Sequence, residues 1–148
     1  MSTLLVVHHT PSPAMQALLE AARSGAAMVP EVEVLARPAL SATASDLLAA
    51  DAVLLGTPAN LGYMSGALKH FFDTVYYPCL DATVGLAYGV YVHGQNDTTG
   101  AISSIEKATT GLKWRLVAAP VTVVGEPTAA DRDAVTELGG TLAATISS

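Results

Sequence analysis

Gly56-Thr57-Pro58-Ala59-Asn60-Leu61-Gly62-Tyr63-Met64-Ser65-Gly66-Ala67-Leu68-Lys69-His70-Phe71-Phe72-Asp73 is the stretch that decides the fold. It reads as the end of a buried strand, then a Pro/Asn/Gly loop, then an amphipathic helix. Ala52-Val53-Leu54-Leu55 stands before it, apolar and without alternation. That is the pattern of a strand covered on both faces, as in a parallel α/β sheet. In such sheets ligands bind where loops leave the carboxyl ends of the strands. This loop offers a hydrogen-bonding Asn, glycines that let backbone approach a ligand, and an aromatic ring.

Outward from it, strand and helix signals alternate. Strands are expected at about 4–7, 32–35, 52–55, 84–92 and 114–124. Helices are expected at about 13–25, 44–49, 65–75, 99–110 and 129–146. Ser12 caps the first helix and Pro13 opens it. Thr98 or Thr99 caps the fourth, and Gly111 ends it. Thr128 caps the last, with a capping-box spacing to Asp131. Pro120 marks a bulge or an edge within the fifth strand. No repeat or linker interrupts the pattern, so residues 1–148 form a single domain. Strict alternation implies right-handed crossovers, and five strands suit a doubly wound sheet of order 2-1-3-4-5, helices on both faces.

The 56–73 stretch resembles the ring-binding loop of the flavodoxin-like quinone and FMN reductases, a group that includes the tryptophan-repressor-binding protein type. Those proteins end a strand in Gly-(Ser/Thr)-Pro. A short Gly-containing loop follows, then a helix with small residue-Gly-x-(Leu/Met)-Lys-x-Phe-x-Asp. Gly56, Thr57, Pro58, Gly62, Met64, Ser65, Gly66, Leu68, Lys69, Phe71 or Phe72, and Asp73 fit. The resemblance implies a flavodoxin-like three-layer sandwich. It also implies bound FMN, NADH or NADPH as co-substrate, and a quinone or similar small-molecule electron acceptor. Hydride would pass through the flavin, which carries the chemistry, so no catalytic acid or base is assigned. Relatives of this type are dimers or tetramers, and a low charge content agrees with subunit burial.

In that strand order the loops after strands one, three and four converge. The resemblance gives each a part of FMN. The first would wrap the phosphate, with hydroxyls from Thr10 and Ser12 and amides from Ala14 and Met15, at a helix start carrying roughly half a positive charge. Pro11 and Pro13 depart from the family's Ser/Thr/Gly-rich loop, and each removes an N–H. A plainly capped helix start is the alternative. The second loop, Thr57, Pro58, Ala59, Asn60, Leu61, Gly62 and Tyr63, would pack on the isoalloxazine. Tyr63 either lies near the ring or covers the helix. The third supplies His93, Gly94 and Gln95, with Asn96 beside them. His93 bonds ligand or backbone.

Two further readings share this frame. One is an electron-carrier flavodoxin. Carriers sandwich the flavin between aromatic rings, and here only Tyr63, with Tyr88 or Tyr91, is available. The other is a non-catalytic flavodoxin-like binding protein that has lost FMN. A receiver domain is excluded, since His8-His9 and Gly56-Thr57 stand where its acidic residues belong.

Bulk properties agree. Of 148 residues, 51% are hydrophobic and 14% charged, with a net charge of −6. No basic stripe exists to neutralise phosphates, so no nucleic-acid partner is expected. No apolar stretch approaches the ~20 residues of a membrane span. Residues 1–8 read as the first strand rather than a signal peptide, and Cys79 is the lone cysteine, so the cytoplasm is the expected compartment. His8 and His9 point to opposite faces of strand one and cannot easily share a metal. No metal site is assigned.

Overall fold

The computed structural model describes residues 1–147. In chain order the elements are β1 (Ser2–His8), α1 (Pro13–Ala26), β2 (Val32–Pro38), α2 (Ala44–Leu48), β3 (Ala52–Asn60) and β4 (Tyr63–Met64). Then come α3 (Gly66–Cys79), β5 (Ala87–Gly94), α4 (Thr99–Leu112), β6 (Arg115–Leu116), β7 (Val121–Val124) and α5 (Ala129–Ile146). The main sheet is parallel, in the order β2-β1-β3-β5, with β6 and β7 both on the outer side of β5. Counting β6 and β7 as one interrupted strand gives the expected 2-1-3-4-5 order.

The sheet is buried on both faces because the middles of its central strands are apolar. Ala52, Val53, Leu54 and Leu55 have no exposed surface. Alternation along the strands divides their side chains between two layers. Leu5, Val7, Val53, Leu55, Val90 and Val92 pack with Leu47 of α2, Phe71 and Phe72 of α3, and Ile105 of α4. Leu4, Val6, Leu54, Tyr91 and Val123 pack with Met15 and Leu18 of α1 and with Val135, Leu138 and Leu142 of α5.

Local chemistry explains most boundaries. Ser12 Oγ accepts the Met15 N–H at the start of α1, and Thr128 and Asp131 form the capping box of α5. Thr43 and Asp46 form a second such box on α2. Four expectations need correction. The fifth strand is broken at 117–120. Tyr88 pairs with Leu116 and Tyr91 with Val121, so two extra residues bulge out on that strand. Pro120 lies in the bulge, where its missing N–H breaks no ladder bond. β5 starts at Ala87 rather than 84, because Gly85 turns with φ +80° and Val84 is exposed. α3 runs past 75 to Cys79, since Val75 and Cys79 extend its buried face by one turn. Gly111 does not end α4. The helix closes at left-handed Lys113, φ +59°, and Gly111 leaves room for the Tyr76 hydroxyl.

α1 and α5 approach each other closely on one face of the sheet. A Cβ on Gly25 would overlap the Thr136 carbonyl. Alanine normally favours a helix over glycine by about 1 kcal/mol. Here the sign should reverse: Gly25→Ala should lower stability in urea unfolding by about 1–3 kcal/mol, the usual cost of overpacking. A stabilised Gly25→Ala protein would show that these helices are not in contact.

Candidate functional site

Three loops meet at the carboxyl ends of β1, β3 and β5. The registers place His8 beside Gly56 and Pro58 beside His93, so their exits are neighbours. Each loop is held by its own internal bonds, and what those bonds leave free defines the site.

The first loop leaves β1 with the His9 N–H donated to the Gly56 carbonyl. Pro11 and Pro13 then alternate with Thr10, Ser12 and Ala14. Among the described residues, the amides of Thr10, Ser12 and Ala14 reach no protein acceptor. Three N–H groups without a protein partner thus stand at or just before the start of a 14-residue helix, a kind of position at which helices bind anions. The sequence pointed to hydroxyls of Thr10 and Ser12 and amides of Ala14 and Met15, of which the Ala14 amide is free in the structure. The Met15 N–H is spent on Ser12 Oγ at 3.2 Å, while the Ser12 O–H keeps its own proton to donate. Thr10 Oγ1 lies 2.7 Å from His8 Nδ1. The prolines were legible as lost donors.

The second loop is not irregular. β3 continues to Asn60 and pairs antiparallel with β4, Ala59 opposite Met64 and Asn60 opposite Tyr63. Leu61 and Gly62 form the two-residue turn, with φ of +51° and +73°. Both positive angles give a type I′ turn, which matches the twist of a hairpin. Thr57 brackets its base from a fully buried position, donating to the Pro58 carbonyl and accepting the Ser65 N–H. Pro58 is buried as well. Thr57 and Pro58 therefore shape the loop, while Asn60, Leu61, Gly62 and Tyr63 are exposed, and Ala59 is partly covered. The hairpin leans on α4: the Met64 N–H donates to Ser104 Oγ at 3.1 Å, and Gly100 admits the Gly62 carbonyl.

The third loop starts from a tied base. His93 is buried, and its Nε2–H donates to the Gly125 carbonyl at 2.8 Å, so the ring braces β5 against the turn after β7. Gly94 is buried beside Ala59, which leaves Gln95 and Asn96 as the exposed polar side chains. Asp97 rather than Thr98 or Thr99 caps α4. Its carboxylate accepts the Thr99 N–H at 2.9 Å, while Thr98 turns its methyl inward onto Gly94. That backbone bond holds the Asp97 carboxyl below its usual range.

Among the aromatic residues, Tyr63 alone edges the three loops from outside. Tyr88 bonds Thr109 and packs on Trp114 near the amino end of β5, and Tyr91 is buried under α1 and α5. Neither flanks a ring site. A cavity of about 330 Å³ lies to the side, between α3 and α4, lined by Tyr63, Met64, Phe72, Tyr76, Tyr77 and Lys107 among others. It shares Tyr63 and Met64 with the hairpin, but no residue of the first or third loop.

Two measurements follow from this geometry. A side chain with a Cβ pays about 1 kcal/mol or more in the left-handed region, and Asn tolerates it better. Leu61 is fully exposed and loses no packing on replacement. Leu61→Asn should therefore raise the urea midpoint, with a gain of about 0.5–1 kcal/mol; a loss would mean that the turn is held by contacts of Leu61. The second concerns His8. Burial, then the Arg23 and His9 charges, pull its pKa below 6.5. The unfolded chain thus takes up the proton first as pH falls. Stability should drop from about pH 7 downwards until the folded imidazole also protonates. His8→Asn should flatten that part of the profile; identical profiles would contradict the assignment.

No family model matches the chain. A flavodoxin from Aquifex aeolicus is 33% identical over 75 residues, 51% of this chain and 40% of that protein. The aligned part is thus well under two thirds of that relative. A flavodoxin structure from the domain Archaea superposes with a TM-score of 0.84 at 18% identity, covering 97% of each chain. A WrbA-like flavodoxin from Agrobacterium tumefaciens superposes with a TM-score of 0.78 at 19% identity, covering 98% of this chain and 97% of that one. No described helix is long and apolar enough to cross a membrane. With its strand order, its two helical layers and these superpositions, the chain has the flavodoxin-like fold.

Proposed function

We propose that this chain binds FMN across its three convergent loops and acts as an NAD(P)H-dependent reductase of a quinone or similar acceptor. The observation that carries the reading is the set of unpaired amides at Thr10, Ser12 and Ala14, set at the start of α1 beside an exposed hairpin tip. Backbone donors fit a phosphate without side-chain charge, which suits a chain of net charge −6. The flavin, when bound, supplies the electron transfer. The protein's own part is to hold the phosphate with the first-loop amides and the Ser12 hydroxyl. Ala59 to Tyr63 and Gly94 to Asn96 would flank the ring. Exposure of Tyr63, Leu61 and Gln95 leaves that side open to a co-substrate and an acceptor in turn.

An electron carrier is the second reading. The partial match to a flavodoxin favours it. The lack of a second exposed aromatic at the described loops weighs against it.

Titrating the purified protein with FMN, followed by flavin fluorescence, tests the proposal. Saturable quenching at micromolar protein, then NADH or NADPH oxidation stimulated by a quinone, is the expected result. Binding without nicotinamide oxidation would replace the reductase with the carrier. No binding at near-millimolar FMN would remove both.

A further inference from the structure

α3 and α4 cover the same face of the sheet, and the cavity of about 330 Å³ opens between them. Its volume falls within the ~300–1,000 Å³ of small-molecule sites. Three elements build it. Phe72 of α3 is 3% exposed and lines its deepest part. Tyr63 and Met64 of β4 form the end nearest the hairpin. That end is pinned, because the Met64 N–H donates to Ser104 Oγ of α4. Tyr76 stands at the other end. Its hydroxyl reaches α4 at Gly111, where a Cβ would overlap it. Tyr77 meets the Tyr76 ring edge-on, with centroids 5.3 Å apart, and is 81% exposed at the rim.

The walls select for shape and the rim for charge. Rings pack edge-on or offset against other rings, and a thioether favours a ring edge. Phe72, Tyr76 and Met64 therefore suit a flat aromatic occupant. Ser104 offers little within, since its Oγ accepts the Met64 N–H and donates to the Ala101 carbonyl. Three charged residues line the cavity: Lys69, Asp73 and Lys107. Lys69 and Asp73 neutralise each other at 2.6 Å, one helical turn apart. Lys107 has no carboxylate partner among the described residues, and Glu106 beside it in the chain is not part of the lining. A chain of net charge −6 thus presents one unmatched positive charge at the mouth of an aromatic cavity.

We propose that this cavity is a second binding site, for a flat aromatic monoanion of one or two rings, with its ring between Met64, Phe72 and Tyr76 and its carboxylate at Lys107. The site goes beyond the three-loop reading and does not depend on it, since no residue of the first or third loop takes part. An ion pair at an exposed rim contributes little affinity, so burial of the ring supplies most of the binding. Lys107 supplies the choice among rings of equal size: an anion is favoured, a neutral ring gains burial alone, and a cation is repelled.

The test is a set of ¹⁵N–¹H correlation titrations of the protein without flavin. The probes are 2-naphthoate, its neutral amide 2-naphthamide, and the cation 2-naphthylmethylammonium. Saturable shifts are expected at residues 63–64, 72–77 and 104–108. The naphthoate should bind about threefold to fivefold more tightly than the amide, the range of an exposed ion pair, and the cation should bind most weakly. Lys107→Glu should reverse that order, and Lys107 is exposed, so the exchange leaves the core intact. Ala108→Leu, which narrows the cavity, should weaken all three probes. No saturable shift at millimolar naphthoate, shifts centred elsewhere, or the same order of affinities in wild type and Lys107→Glu would overturn the proposal. Shifts at these residues on diluting the protein alone would assign the face to a second copy of the chain and overturn it too. None of these outcomes bears on FMN, which its own titration decides.

Discussion

The constraint on which the rest depends is the burial of β3 on both faces. A strand that is apolar at every position from Ala52 to Leu55 can be covered only by layers above and below, which here are α1 with α5 and α2 with α3 and α4. Among the described residues, one buried side-chain polar atom in those layers, the Tyr91 hydroxyl, has no partner. The chemistry of the chain is displaced to the carboxyl ends of the strands, where backbone leaves the sheet with unspent hydrogen-bonding groups. Gly56 marks the changeover. It is the last buried position of the apolar run before Thr57 brackets the hairpin, and its missing side chain lets Tyr91 lie across the strand.

Beyond that row, each loop is a balance between bonds spent on the fold and bonds left over. Thr57, His93 and Asp97 are spent: one closes the hairpin, one braces β5 to the turn at Gly125, one caps α4. The amides of Thr10, Ser12 and Ala14 are left over. A helix-terminal polar group without a partner is unfavourable in the empty protein and favourable once a ligand supplies the partner. The strained turn at Leu61 belongs to the same class, an exposed side chain in a backbone region that leucine disfavours.

The fold was legible because its signals are local and repeated. Apolar runs gave β1, β3 and β5, and Ser12 and Thr128 lay where helices start. The type I′ hairpin was not legible, since Leu61 stands at a position where Asn or Gly would mark such a turn. The broken fifth strand was half visible in Pro120. At the site, the three loops were legible from their place in the chain, whereas the division of labour within them was not. Sequence alone does not show that His93 turns to a carbonyl thirty-two residues away, or that Tyr91 lies over Gly56. Those are contacts between strands, set by register and by the space a neighbouring glycine leaves.

The central claim is that first-loop backbone amides hold a phosphate. A ¹⁵N–¹H correlation spectrum of the wild-type protein, recorded with and without FMN, tests it most directly. The account predicts the largest shifts at the amides of Thr10, Ser12 and Ala14, with further shifts at residues 59–63 and 94–97. Shifts confined to the α3–α4 cavity, or none at saturating FMN, would contradict it.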